Sequence, residues 1–196
     1  MIIHMTTVHP RDDSRIRHKE IPTLRKELND EVELFVQDGF GDEFDEKSQF
    51  WIRDTGKKNS RFLRMTVGGF RMITAVLKRN PKIVYFHDPE LLPWAMILKI
   101  LGIKVIYDVH EDYPRVIFHN LLVPKLLKPF LFLGILFFEK LAGIFFDGIL
   151  GAGPEITTRF PKRKTALLRN FTVLEELKDD FPIEMKDRKP DFCYVG

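Results

Sequence analysis

Short apolar runs alternate along the chain with longer segments whose apolar residues recur at helical spacing. The runs predict strands over residues 2–8, 32–36, 50–52, 82–86, 104–109, 148–150 and 165–168. The helical segments are residues 15–28, 61–79, 89–101, 123–145 and 154–160. This alternation predicts an α/β fold, a Rossmann-like parallel sheet with helices on both faces.

Three short polar clusters each follow directly on one of the predicted strands. They occupy residues 9–13, 87–90 and 110–114, after the strands that begin at residues 2, 82 and 104. Ligands bind at the carboxyl ends of the strands in open α/β sheets. If these three strands are neighbours, three histidines and six carboxylates meet at one rim. We therefore predict the functional site there.

His110 lies where a strand passes into a loop. Its imidazole is suited to bind a sugar hydroxyl or to stabilise charge at a reacting carbon. The alternative is a structural histidine that pairs with Glu111, Asp112 or a backbone carbonyl. The two other clusters at the same rim favour the functional interpretation.

The other two clusters also allow structural interpretations. Asp88 precedes Pro89 and is predicted to cap a helix, and His87 either faces the cleft or packs against the loop. Arg11 is suited to bind a phosphate beside a helix start, and Asp13 or Ser14 can cap that helix. A salt-bridged turn is the alternative for Arg11.

Composition excludes several classes of protein. The 196 residues include one cysteine, Cys193, so no disulfide forms within the chain, and the net charge is only +3. The basic residues are interspersed with acids rather than clustered, which argues against nucleic-acid binding. The first five residues lack the features of a signal peptide, so we expect a cytoplasmic protein.

The apolar run at residues 130–138 is too short to span a bilayer. The helix around it carries or adjoins Lys125, Lys128 and Lys140, with Arg115 nearby. One interpretation is a core helix of the α/β fold. The other is a surface in peripheral contact with an anionic membrane, on the inner membrane face. One face can pack while another binds lipid.

No metal or cofactor motif stands out. The chain has no His-Glu-x-x-His or cysteine pair, and neither a P-loop nor a Gly-x-Gly-x-x-Gly turn follows the first strand. This argues against nucleoside triphosphate hydrolysis and dinucleotide binding. A hard cation among Asp108, Glu111 and Asp112 is the weaker alternative to a metal-free site.

Residues 7–16, 86–92 and 107–112 together resemble motifs of one branch of the family 4 glycosyltransferases. Members of that family are retaining enzymes of the GT-B fold, common in bacterial surface-polysaccharide assembly. Residues 168–171 are similar to the family's asparagine-bearing turn before the interdomain link. The resemblance implies transfer of a sugar from a nucleotide-diphosphate donor to a hydroxyl of a glycan acceptor that is lipid-linked.

The resemblance also implies roles for individual residues. His110 would be the active-site histidine near the transferred sugar, with Arg11 near the donor phosphates in place of the family's glycine pair. Asp88, Glu90, Glu111 and Asp112 would approach acceptor hydroxyls, without any metal. The full set of implied substrate-binding residues is His9, Arg11, Asp13, Arg15, His87, Asp88, Glu90, Glu111, Asp112 and Asn170.

The predicted organisation is an acceptor-side domain over residues 1–172, a linker over residues 173–190 and the first strand of a donor-binding domain over residues 191–196. Because the rest of that second domain is not in the chain, we expect the chain alone to be inactive. A nucleotide-sugar epimerase of the same architecture and a non-catalytic glycan- or protein-binding domain are the alternatives.

Overall fold

A computed structural model describes residues 1–121 and 123–171. These residues form one eight-stranded sheet in the order β3-β4-β2-β1-β5-β6-β7-β8, and only the β3–β4 pair is antiparallel. The strands are β1 (Ile2–Met5), β2 (Val32–Val36), β3 (Glu43–Asp45), β4 (Phe50–Asp54), β5 (Ile83–Phe86), β6 (Lys104–Val109), β7 (Gly148–Gly151) and β8 (Thr165–Leu167). The predicted linker and second-domain strand, residues 173–196, lie outside the described part.

Helices connect the parallel strands. They are α1 (Ile21–Leu28), α2 (Arg61–Leu63), α3 (Gly69–Lys78), α4 (Leu92–Ile100), α5 (Tyr113–His119), α6 (Lys128–Phe145) and α7 (Pro154–Thr157). Of the helices in the described residues, none combines the length and the hydropathy needed to cross a bilayer.

Two apolar cores lie on opposite faces of the sheet, because successive side chains of a strand point to opposite sides. On one face Ile16 and Ile21 pack with Leu34 and its neighbours. On the other face Met5 and Phe86 pack with side chains of α3, α4 and α6. The predicted α/β fold, a parallel sheet with helices on both faces, is confirmed.

Strand β1 ends at Met5, three residues earlier than predicted. The backbone N–H groups of Thr7 and Val8 donate to the carboxylate of Asp88, at 2.6 and 3.2 Å, rather than to a neighbouring strand. A side chain therefore replaces the strand ladder at this point and turns the backbone out of the sheet.

The first two predicted helices each contain a π-helical turn. Residues Ile16–Glu20 form one such turn before α1, where Pro22 supplies no N–H for a regular helical bond. Residues Arg64–Gly68 form the other, between α2 and α3. A Cβ atom at Gly69 would lie 2.1 Å from Trp94 Nε1, so close packing of α3 on α4 requires glycine there.

Several element boundaries differ from the prediction. The long apolar helix α6 begins at Lys128 rather than at residue 123, because Pro124 and Pro129 restrict the start of a helix. Helix α5 and strand β3 were not predicted. Helix α4 ends one residue earlier than predicted, and Gly102 follows with a φ of 87°, a conformation that glycine adopts without strain.

Candidate active site at the rim of β1, β5 and β6

Strands β1, β5 and β6 are adjacent and parallel, with Met5 opposite Phe86 and Phe86 opposite Tyr107. The polar clusters that follow them therefore meet at one edge of the sheet. The ring centroids of His9 and His110 are 4.6 Å apart, and those of His87 and His110 are 5.1 Å apart. The predicted neighbourhood of the three clusters is confirmed.

Asp108, the next-to-last residue of β6, lies at the centre of the histidine group and is fully buried. Its Oδ2 atom is 2.8 Å from His110 Nε2 and 3.2 Å from His87 Nδ1. Burial opposes ionisation of Asp108, but the hydrogen bonds from His110 and His87 outweigh it and hold the pKa well below its usual range. Asp108 therefore remains a carboxylate that orients both imidazoles.

Two further side chains extend this buried group. The Arg15 guanidinium donates to Asp108 Oδ1 at 2.5 Å and to Glu20 Oε1 at 2.6 Å. Burial, together with the charge of Asp108, raises the pKa of Glu20 to about 9. Glu20 is therefore protonated at neutral pH, and Arg15 and Asp108 form the charged pair. The family resemblance implied substrate contact for Arg15, whereas its contacts here are with protein carboxyl groups.

His4 also belongs to this group and was not predicted. It lies in the middle of β1, fully buried, with Nδ1 3.1 Å from His87 Nε2 and its ring stacked on Tyr85. Burial lowers the pKa of both His4 and His87, so both rings are neutral. A histidine inside an otherwise apolar strand run was the available signal.

Asp88 does not cap the helix that follows it, which corrects the structural role expected from the sequence. Its Oδ2 atom instead accepts hydrogen bonds from the Thr6 hydroxyl, the Thr7 N–H and hydroxyl, and the Val8 N–H. Glu90 accepts from the Thr7 hydroxyl at 2.5 Å and pairs with Arg64 at 2.7 Å. Both acids thus hold the loop after β1 against β5.

His9 and Asp13 form a pair at the exposed side of the rim, with 3.1 Å between Nδ1 and Oδ2. Burial lowers the pKa of His9, but the hydrogen bond to Asp13 and nearby carboxylates outweigh it, and the net shift is upward. The other oxygen of Asp13 accepts the N–H groups of Arg15 and Ile16, so the predicted cap of this helix start is confirmed.

Arg11 adopts the salt-bridged alternative. Its guanidinium donates to both oxygens of Asp38 at 2.7 and 2.8 Å, to Glu43 at 2.7 Å and to the Gly41 carbonyl at 2.9 Å. The N–H groups of Arg11 are therefore engaged by the turn before β3 and by the first residue of β3. Phosphate binding by Arg11 stays a prediction, and it would require exchange of these ion pairs for the phosphate.

The remaining predicted residues lie at the periphery. Glu111 is exposed, and Asp112 accepts from the first turn of α5 and from Arg159, with Arg115 also within ion-pair distance. Asn170 accepts from Lys19 at 2.8 Å, next to a cavity of about 230 Å³. The cavity is lined by charged and polar residues as well as by Leu24, Tyr85, Leu150 and Leu168. Substrate contacts of these residues stay predictions.

Arg159 also connects Asp112 to Glu139, a buried residue of α6, through a bond of 3.0 Å. Burial raises the pKa of Glu139 to about 7. The charge of Arg159 opposes this increase, and the charge of Asp112 adds to it. The folded protein therefore binds a proton on Glu139 at pH values where the unfolded chain does not. Its stability should fall as the pH rises towards and through about 7.

We expect the variant Glu139→Gln to lack this pH dependence. The difference in unfolding free energy, variant minus parent, should increase by about 2–3 kcal/mol between pH 5 and pH 8. Urea denaturation at several pH values measures it, with Glu155→Gln, an exposed residue of α7, as control. A constant difference across this range would contradict the assignment of Glu139.

Family models show no match to this chain, and neither do curated proteins. Its fold is similar to that of a sucrose-phosphate synthase from Thermosynechococcus elongatus, with a TM-score of 0.65 and 10% identity over 89% of this chain. The chain spans about half of that structure, 49% of its length. A second structure of the same synthase gives a TM-score of 0.59 and 11% identity, with 90% of this chain and 93% of the other covered.

The chain has a glycosyltransferase-like fold. The similar structures belong to the GT-B class, so the fold class expected from the sequence resemblance is confirmed. Membership of family 4 stays a prediction, because identities of 10% and 11% support the fold alone. The histidine group at the rim of β1, β5 and β6 therefore lies in a domain with a glycosyltransferase-like fold.

Proposed function

We propose that this chain is the acceptor-side domain of a retaining glycosyltransferase. The observation that carries the proposal is the meeting of His9, His87 and His110 at the carboxyl ends of three adjacent strands in a glycosyltransferase-like sheet. A site at this edge is where an open α/β sheet binds its ligands. The donor would be a nucleotide-diphosphate sugar, held mainly by a second domain.

The proposed reaction breaks the bond between the anomeric carbon and the donor diphosphate and forms a bond to an acceptor hydroxyl. The hydroxyl proton passes to the leaving diphosphate. His110 would contact the transferred sugar through Nδ1, and the contact of its Nε2 with Asp108 supports this role. Positioning and stabilisation of the developing charge would supply the catalysis, without a metal in the reaction.

The experiment uses a polypeptide in which a donor-binding domain follows this chain. It is incubated with a panel of nucleotide-diphosphate sugars and glycan acceptors, and products are analysed by mass spectrometry. We expect release of nucleotide diphosphate that depends on the acceptor, with the anomeric configuration retained. Turnover without any acceptor would instead indicate an epimerase, and binding without turnover would indicate a non-catalytic domain.

An exposed apolar surface lies on α5, α6 and the segment between them, and it bears on the nature of the acceptor. Leu121 and Leu126 are 95% and 86% exposed, and Phe130 is 73% exposed. Other exposed apolar residues of these elements are Val116, Phe118, Leu127, Leu131, Leu133, Phe137, Ile144 and Phe145. We call these residues the α5–α6 surface. So large a set is unusual on a water-exposed face.

Cations accompany the α5–α6 surface. Arg115, Lys125 and Lys140 are exposed, whereas Lys128 is half-buried and donates to the Phe118 carbonyl at 2.7 Å. Exposed apolar side chains with adjacent cations are typical of a surface that rests on anionic lipid. We propose that this surface binds an anionic bilayer and brings the domain to a lipid-linked acceptor.

We expect the chain to sediment with vesicles of anionic phospholipid and much less with zwitterionic ones. The double variant Arg115→Glu, Lys125→Glu should bind at least about 30-fold more weakly, since each basic residue near the surface contributes about 1 kcal/mol and the new carboxylates are repelled by anionic lipid. Lys26→Glu, Lys47→Glu is the matched control with the same charge change at exposed positions elsewhere. Equal loss in both double variants would contradict a specific role of the α5–α6 surface.

A further inference from the structure

Three potential metal ligands form a small triangle inside the rim. His87 Nδ1 and His110 Nε2 are 3.2 Å apart, and Asp108 Oδ2 is 3.2 Å from the first and 2.8 Å from the second. Residues 1–121 and 123–171 contain two groups of two imidazoles and one carboxyl group, and the other one is His4, Glu20 and His87. All three atoms lie close enough together to bind the same ion.

No placement of the imidazole protons gives a favourable hydrogen bond along all three edges of this triangle. Asp108 only accepts, so an N–H group from each imidazole would have to point at its oxygen. The two N–H groups would then face each other across 3.2 Å. If His87 instead donates to His110, a nitrogen lone pair faces the carboxylate at 2.8 Å. A cation inside the triangle removes the conflict, because all three lone pairs then point at positive charge.

The dimensions suit a tetrahedral transition-metal ion. Zinc lies about 2.0–2.2 Å from nitrogen and carboxylate ligands, which separates neighbouring ligand atoms by about 3.3–3.5 Å. The observed edges of 2.8–3.2 Å need to open by only a few tenths of an ångström. Magnesium and calcium prefer sites made of oxygen atoms, so two imidazole ligands favour zinc.

Asp108 and His87 each have a partner, at the atom that does not face the triangle, that would orient them. Arg15 donates to Asp108 Oδ1 at 2.5 Å, and His4 Nδ1 is 3.1 Å from His87 Nε2. Such outer contacts fix the tautomer and the direction of metal ligands. His87 and Asp108 are fully buried, whereas His110 is 10% exposed and lies nearest the rim.

We propose that His87 Nδ1, Asp108 Oδ2 and His110 Nε2 bind one divalent zinc ion, with a fourth position open towards the rim. Both imidazoles bind as neutral rings. The proton of His110 then lies on Nδ1, at the cleft, and that of His87 lies on Nε2, where it donates to His4. The proposal of this site does not rest on the proposed sugar transfer, which uses no metal: bound zinc would take the place of the direct contact between Asp108 Oδ2 and His110 Nε2.

The test titrates chelator-treated protein with zinc chloride in a calorimeter and with cobalt chloride in a spectrophotometer. We expect one zinc equivalent, a visible cobalt spectrum of tetrahedral intensity, and an affinity at least about 100-fold lower in His110→Ala. The control is His18→Ala, His119→Ala, which removes two exposed histidines and should bind zinc like the parent. Circular dichroism confirms that each variant is folded.

Three outcomes would overturn the site. The first is the absence of zinc binding tighter than about 100 µM in the parent. The second is equal affinity in the parent and His110→Ala. The third is loss of binding in His18→Ala, His119→Ala, which would show that zinc binds at the exposed surface only.

Discussion

Replacement of His110 by alanine should lower sugar transfer by about 100- to 1,000-fold, the loss typical when one group that stabilises developing charge is removed. The imidazole lies at the rim, within ring contact of His9 and His87, and Asp108 fixes its orientation. The rate is measured with saturating donor and acceptor, in a polypeptide that joins this chain to a donor-binding domain.

His119→Ala is the matched control, because His119 is exposed on the neighbouring helix α5. It should transfer sugar at the rate of the parent. A His110→Ala protein that keeps more than about a third of the parent rate, with unchanged folding, would remove His110 from the reacting centre. The zinc titration is separate, since it needs neither donor nor acceptor.

Substitution of Asp108 by asparagine should destabilise the fold by about 1–3 kcal/mol, because the buried guanidinium of Arg15 then keeps only Glu20 as an acidic partner. Arg15 is 5% exposed and Asp108 is fully buried, so water cannot replace the lost carboxylate. Asparagine has nearly the same shape, and the effect therefore reports charge rather than packing. The measurement is the urea midpoint at constant slope.

Asp12→Asn serves as the control for that experiment. Asp12 also pairs with an arginine, Arg17, but its side chain is 72% exposed. Exposed ion pairs contribute about 0–1 kcal/mol, so the midpoint should hardly move. If Asp108→Asn were as stable as Asp12→Asn, the pair of Arg15 and Asp108 would not hold this end of the sheet together.

Local pattern was enough to predict the sheet and the location of the site. Apolar runs gave seven of the eight observed strands, and the rule that ligands meet strand carboxyl ends placed His9, His87 and His110 together. Both predictions depend on chain direction and hydrophobic period alone. Neither requires knowledge of which side chain contacts which.

The partners of individual side chains could not be predicted in this way. Arg11 meets Asp38 and Glu43 because β3 folds back antiparallel on β4, and that strand has only three residues. Asp88 was predicted to cap a helix, but its carboxylate accepts hydrogen bonds from the loop after β1, more than 80 residues away in sequence. Such contacts arise from tertiary packing, which overrides local preference.

The two ends of the sheet are closed by its shortest strands. Of the described strands, β3 and β8 have three residues each, and Glu43 in β3 carries charge and binds two arginines. Short edge strands, of which β3 is also charged, offer little template for pairing with the backbone of another chain. Self-association in concentrated solution should therefore proceed through the exposed apolar side chains of the α5–α6 surface. Mild detergent should reverse it.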